Sequence, residues 1–278
     1  MHTVATLTIP SSPLTAAAPV RIRCRAAGDG PPLVFLHGGW GYEIYPFDAQ
    51  IRAFARDWRI VIPDRTNYGG STPLEHLPTD FHARAADETL AVLDALTIDR
   101  AVLWGHSDGA IIALLLALAR PDRVQAIVAE ATHFLRVKPR SRGFFDQMAA
   151  DPASLGERVS SVLAHDHGAR WEDVIRANAG AWQRIADESP SPSADLYDGR
   201  LGELTVPTLV LHGANDPRTE PGELPALVGA LGARATPAVL DQGGHSPHSE
   251  AASADAAIAR AAAFLAHASC PRPSSSIA

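Results

Sequence analysis

Three residues of types that combine in acyl-transfer chemistry, a serine, an acid and a histidine, stand in this chain just beyond three apolar runs. Ser107 lies in Gly105-His106-Ser107-Asp108-Gly109, after Arg100-Ala101-Val102-Leu103-Trp104 and before the apolar stretch 110–119. Glycine two before and two after a serine, with a strand ahead and a helix behind, is the pattern of a tight strand-to-helix turn that raises the serine above a sheet. Side chains at the glycine positions would collide with the neighbouring strand and helix, and the turn forces the serine into strained backbone dihedrals. The helix behind it then offers its first N–H groups and its dipole to a developing negative charge. A serine hydroxyl is a poor nucleophile without a base, and the base needs a carboxylate to hold its tautomer. Asp216 in His212-Gly213-Ala214-Asn215-Asp216-Pro217 follows the run Leu209-Val210-Leu211. His245 in Gly243-Gly244-His245 follows Val239-Leu240.

Each assignment has a competitor. Asp216 could cap a helix near Glu220, and Glu130, at the end of an earlier strand, is the next acid to consider. His248 lies three residues beyond His245 but lacks flanking glycines. His165-Asp166-His167 sets its side chains too close together for ordinary ligand spacing and no His-Glu-x-x-His occurs, so no metal is expected. No cofactor is expected either.

The elements that must position these residues are legible as alternating strands and helices. Residues 3–9 and 20–25 read as an antiparallel edge pair, and Leu33-Val34-Phe35-Leu36 as a strand buried on both faces. A helix over 46–57, the strand Arg59-Ile60-Val61-Ile62-Pro63 and a helix capped by Thr79 or Asp80 and running to Leu96 come next. After the serine turn and its helix comes a strand over 124–129. The alternation then breaks. Residues 134–201 carry no buried strand, only helical stretches near 141–150, 154–164 and 171–187 and the link Ser189-Pro190-Ser191-Pro192-Ser193. It resumes with strands at 208–211 and 235–240, a helix near 222–231 and a last Ala-rich helix over 249–267. Strand, helix, strand with short connections predicts an α/β fold, a mostly parallel doubly wound sheet of about eight strands. A helical cap is inserted after the sixth strand. The core is then 1–133 and 202–269, the cap 134–201, and 270–278 a frayed tail. In a parallel sheet the loops that hold Ser107, Asp216 and His245 share one edge, so the three can converge.

His37-Gly38-Gly39, the Ser107 pentapeptide, His212 to Pro217 and Gly243-Gly244-His245, in this order, resemble the α/β-hydrolase superfamily over essentially the whole chain except the insertion. The Ser-Asp-Gly turn, His133 after the next strand and a helical cap are similar to the small esterases and amide hydrolases of the valacyclovirase and biphenyl-hydrolase-like branch. The resemblance implies that Ser107 attacks an acyl carbonyl, that His245 takes and returns the proton, and that Asp216 orients His245. It implies an oxyanion hole from the backbone N–H of Asp108 and that of Gly39, with Trp40 as the alternative, and it makes His37 a structural residue fixing that loop. Trp40, Phe134, Trp171 and Trp182 are candidates to line an aromatic pocket, although Trp171 and Trp182 also suit the core of the cap. Asp108 either binds a substrate amine, as the resemblance implies, or bonds within the turn.

The expected activity is hydrolysis of a small carboxylic ester, amide or lactone through an acyl-enzyme. Carbon–carbon bond hydrolysis on the same fold is the alternative, and a non-catalytic ligand-binding protein of this fold is the alternative of another class. The net charge of −7 and the absence of a Lys/Arg cluster argue against nucleic acid or membrane as partners, leaving a small-molecule substrate. Two cysteines, Cys24 and Cys270, are too few for a disulfide framework, and the first 19 residues have no signal-peptide pattern, so the expected setting is cytoplasmic.

Overall fold

The computed structural model describes residues 2–268, so the tail read at 270–278 and Cys270 lie outside the described residues. Strand β1 (Thr3–Ile9) pairs antiparallel with β2 (Val20–Ala27), which pairs antiparallel with β4 (Arg59–Pro63). The other pairings, among β4, β3 (Pro32–Leu36), β5 (Ala101–His106), β6 (Val124–Glu130), β7 (Thr208–Gly213) and β8 (Ala235–Leu240), are parallel. The sheet has eight strands in the order β1-β2-β4-β3-β5-β6-β7-β8.

Successive residues of a strand face opposite sides of a sheet, and the central strands bury both. Val34, Leu36, Leu103 and Ile127 pack with α2 (Phe81–Ala95), α3 (Asp108–Ala119) and α7 (Glu223–Leu231). Leu33, Phe35, Val102, Trp104 and Val128 pack on the other face with α1 (Asp48–Phe54) and α8 (Ala254–Ala268). The doubly wound α/β arrangement read from the sequence is therefore the fold. Between β6 and β7 the chain makes α4 (Pro139–Ala150), α5 (Glu157–His167) and α6 (Trp171–Asp187), and an isolated bridge from Leu135 to Asp195 ties the two ends of this excursion together.

Three local expectations shift. The second helix of the excursion starts at Glu157, because Pro152–Leu155 forms a 3₁₀ turn ended by Gly156 at φ +84°. Helix α8 starts at Ala254, because the Glu250 carboxylate accepts the Gly244 and Ser246 N–H groups at 2.6 and 2.9 Å and holds the preceding segment in turns. Asp80 sits at the start of α2, but its carboxylate takes the Arg84 side chain at 2.7 Å instead of capping the helix. No helix among the described residues is long and apolar enough to cross a membrane.

Candidate active site

The serine turn depends on its glycines in the way the sequence implies. A Cβ on Gly105 would come within 2.2 Å of the Gly109 carbonyl oxygen, and one on Gly109 within 2.0 Å of the Leu36 carbonyl oxygen. Ser107 between them has φ +53°, a region that costs a non-glycine residue about 1–3 kcal/mol and persists where surroundings impose it. Here the imposed turn sets Ser107 at the start of α3, its own N–H bonded to the Glu130 carbonyl at 2.9 Å.

His245 Nε2 lies 3.1 Å from Ser107 Oγ, and His245 Nδ1 lies 3.0 Å from each oxygen of Asp216. In the neutral ring this network assigns the proton to Nδ1, which donates to Asp216, and leaves Nε2 to accept from the serine. Burial acts to raise the Asp216 pKa. The His245 bond and charge, the Arg218 backbone N–H and His212 outweigh it and hold the carboxyl at about 2. Asp216 therefore stays ionised beside the ring it orients.

The competing residues are engaged elsewhere. Glu130 accepts from Trp104 Nε1, the His248 backbone N–H and His248 Nδ1, each at 2.8 Å, and His248 Nε2 faces the Tyr45 carbonyl. His37 Nδ1 donates to the Gly38 carbonyl at 2.7 Å and Nε2 accepts the Arg65 N–H at 3.1 Å, while the Arg65 guanidinium holds the His37 and Gly38 carbonyls. Burial keeps that imidazole neutral, its pKa far below the ordinary range. His37 thus fixes the loop that presents Gly39 and Trp40. His106 Nε2 reaches the His245 carbonyl at 2.9 Å and so holds the loop of the histidine.

One pocket adjoins Ser107, with an open volume of about 50 Å³. Gly39, Trp40 and Asp108 all line it, and their backbone N–H groups have no acceptor among the described residues. Trp182 lines it too, with Tyr45, Phe144, Phe145, Asn178, His133 and Arg218. Phe134 and Trp171 do not. Phe134 stacks near Tyr197, 6.3 Å between ring centres, and Trp171 packs with Met148, Leu163 and Ile175 inside the cap, so both serve packing.

Asp108 lies against the pocket with its carboxylate already occupied. Oδ2 accepts from Asn178 Nδ2 at 2.8 Å, and Oδ1 from Trp182 Nε1 at 3.1 Å and His82 Nε2 at 3.2 Å. Burial acts to raise its pKa, but His82, Arg65 and Asn178 more than reverse the effect, and the group stays charged. Three donors on a carboxylate that is 1% exposed make it a fastening between core and cap; an amine would have to displace them.

Sequence reasoning missed Asn178 and Arg218. Asn178 stands one helical turn before Trp182, so both project from one face of α6, a signal that was available. Arg218 follows Asp216 by two residues in a loop whose course only the fold reveals.

The fold and the site define a hydrolase. The profile of the alpha/beta hydrolase fold family matches residues 31–197, and the chain belongs to that family. A pimeloyl-[acyl-carrier protein] methyl ester esterase of Pectobacterium carotovorum is 25% identical over 236 residues, 77% of this chain and 87% of the relative. An epoxide hydrolase of Siraitia grosvenorii is 31% identical over 127 residues, 43% of this chain but only 38% of that relative's length. The structure of the 2-hydroxy-6-oxo-6-phenylhexa-2,4-dienoate hydrolase of a Rhodococcus species covers 96% of this chain and all of its own, at 19% identity and a TM-score of 0.70. At that identity the likeness is one of fold.

Proposed function

We propose that the chain is a serine hydrolase that cleaves a small carboxylic ester through an acyl-enzyme. The hydrogen-bonded line Ser107, His245, Asp216 carries this reading, at 3.1 and 3.0 Å. Ser107 Oγ attacks the ester carbonyl carbon as its proton passes to His245 Nε2, and the ring, now charged, is held by ionised Asp216. The tetrahedral oxyanion is met by the N–H groups of Asp108 and of Gly39 or Trp40, which are free to donate. His245 returns the proton to the departing alcohol oxygen, and water then repeats the sequence on the acyl-enzyme, regenerating Ser107 and releasing the acid. The relative named as a methyl ester esterase supports an ester in place of an amide or lactone. The open volume of about 50 Å³ is room for only a few waters, given about 10–15 Å³ for one, and supports a short acyl or alcohol group.

The test is labelling by a fluorophosphonate together with turnover of p-nitrophenyl acetate. The expected result is one adduct, on Ser107, and hydrolysis that Ser107→Ala abolishes. A folded protein that forms no adduct at Ser107 overturns the reading.

A further inference from the structure

Arg218 lines the same pocket as Ser107 and His245, and its side chain is partly buried there. Its backbone N–H donates to Asp216 Oδ1 at 2.8 Å, and its guanidinium carbon lies 3.1 Å from the ring centre of Phe144, on α4. Phe144 also stacks on Trp40, with ring centres 5.5 Å apart, so the arginine is seated where core and cap meet. Among the described residues no carboxylate or carbonyl accepts a hydrogen bond from this guanidinium. Arg23, Arg25, Arg65 and Arg123, by contrast, each donate to one or more.

Stacking uses the face of a guanidinium and leaves its N–H groups directed outward in the plane. A cation drawn partly out of water with those donors unspent is half of a recognition site, and its planar fork matches a carboxylate. Asp108 in the pocket and Asp216 behind His245 do not supply the other half. Asp108 is taken by Asn178, Trp182 and His82, and Asp216 by His245 and by the backbone of Arg218 itself. The net charge of −7 repels an anion at long range, so a fixed local cation is what would let one settle beside Ser107.

We infer that the ester cleaved at Ser107 carries a carboxylate, a few bonds from the scissile carbonyl, that Arg218 binds with two parallel N–H···O bonds. This rests on the serine-hydrolase reading above. The small pocket keeps the carboxylate close to the reacting carbon, on either the acyl or the alcohol side.

Two matched pairs of substrates decide both the charge and the side. Monomethyl succinate against methyl succinamate places the charge on the acyl part, and O-acetylglycolate against O-acetylglycolamide places it on the alcohol part. The expected result is a kcat/KM about tenfold or more higher for the anion in one pair, as a charge-assisted bidentate contact supplies. In Arg218→Gln that ratio falls to about one. Equal rates within both pairs in the unaltered protein overturn the inference, and so does an anion preference that survives Arg218→Gln. Labelling of Ser107 and turnover of p-nitrophenyl acetate, which needs no carboxylate contact, are measured alongside. If these fail in the unaltered protein, it is the hydrolase reading that falls.

Discussion

The imidazole of His133 lies parallel to that of His245, the ring planes 9° apart and the centres 5.6 Å apart. Lys138 Nζ donates to His133 Nδ1 at 2.8 Å and so puts the ring's single proton on Nε2. Burial, the Lys138 charge and the neighbouring His245 drive the His133 pKa far down. The ring stacked on His245 is thus held neutral, so His133 adds no charge beside the proposed base.

Lys138 is itself held by Glu223, 2.6 Å away, and both side chains are 2% exposed. Removing one member of such a pair strands a buried charge. Lys138→Met is expected to lower the unfolding free energy by about 3–5 kcal/mol, read by urea denaturation. Adding Glu223→Gln recovers part of it, because the Phe134 and Leu135 N–H groups keep an acceptor. A Lys138→Met protein as stable as the original contradicts the pair's structural role.

Ser107→Ala and Asp216→Asn separate nucleophile from orienting acid. Loss of the nucleophile is expected to lower kcat by about 10⁵- to 10⁶-fold, and loss of the carboxylate by about 10⁴-fold, with substrate still bound in each. Single-turnover kinetics read both. Asp216→Asn activity within tenfold of the original shows that another acid serves His245.

Acid is expected to destabilise the fold. Burial first, then the charges of His248 and His245, push His106 from 6.5 down to about 3, so the unfolded chain takes up a proton there that the folded chain refuses. That contribution is complete above about pH 6.5 and is lost as the pH falls toward 3. Burial acts to raise the pKa of Glu130 and Asp216, but His248 and His245 respectively are among the contacts that hold them at about 2. Their contributions fade below about 4.5 and 3.8. At about 1.36 kcal/mol per pH unit for one proton, the unfolding free energy is expected to drop by several kcal/mol between pH 7 and pH 4, read as a lower urea midpoint. Equal midpoints at the two pH values contradict these shifts.

Asp108→Ala leaves Asn178 Nδ2, Trp182 Nε1 and His82 Nε2 facing a buried site without their acceptor. At about 1–3 kcal/mol for each such donor, a loss of at least about 3 kcal/mol is expected in thermal or urea unfolding. Matched esters with and without an α-amino group are expected to turn over alike in the unaltered protein. A strong amino preference that Asp108→Asn removes would restore the amine-binding role.

The sheet and the placement of Ser107, Asp216 and His245 were legible because each lies just beyond an apolar run and within two residues of glycine or proline, features that depend on nearby residues alone. The pocket was not, because its walls come from elements whose approach is decided by packing. Phe134 and Trp171 have the composition of a pocket lining, yet Tyr197 and the cap interior claim them, while Phe144 and Phe145 from α4 reach the site. Arg218 carries no local pattern that separates it from solvent-facing polar residues, and Asn178 carries only its helical spacing to Trp182. Their meaning lies in Asp108 and Phe144, 70 and 74 residues away in sequence.

Asp108 also divides the cap by how freely it can change. Helix α6 is fastened through Asn178 and Trp182 to the residue that follows Ser107, so a substitution there disturbs the turn bearing the reactive hydroxyl. Helix α4 meets the pocket through Phe144 and Phe145, which stack on Arg218 and Trp182. Exchange of the α4 aromatics is therefore expected to alter which substrate enters more than what is done to it.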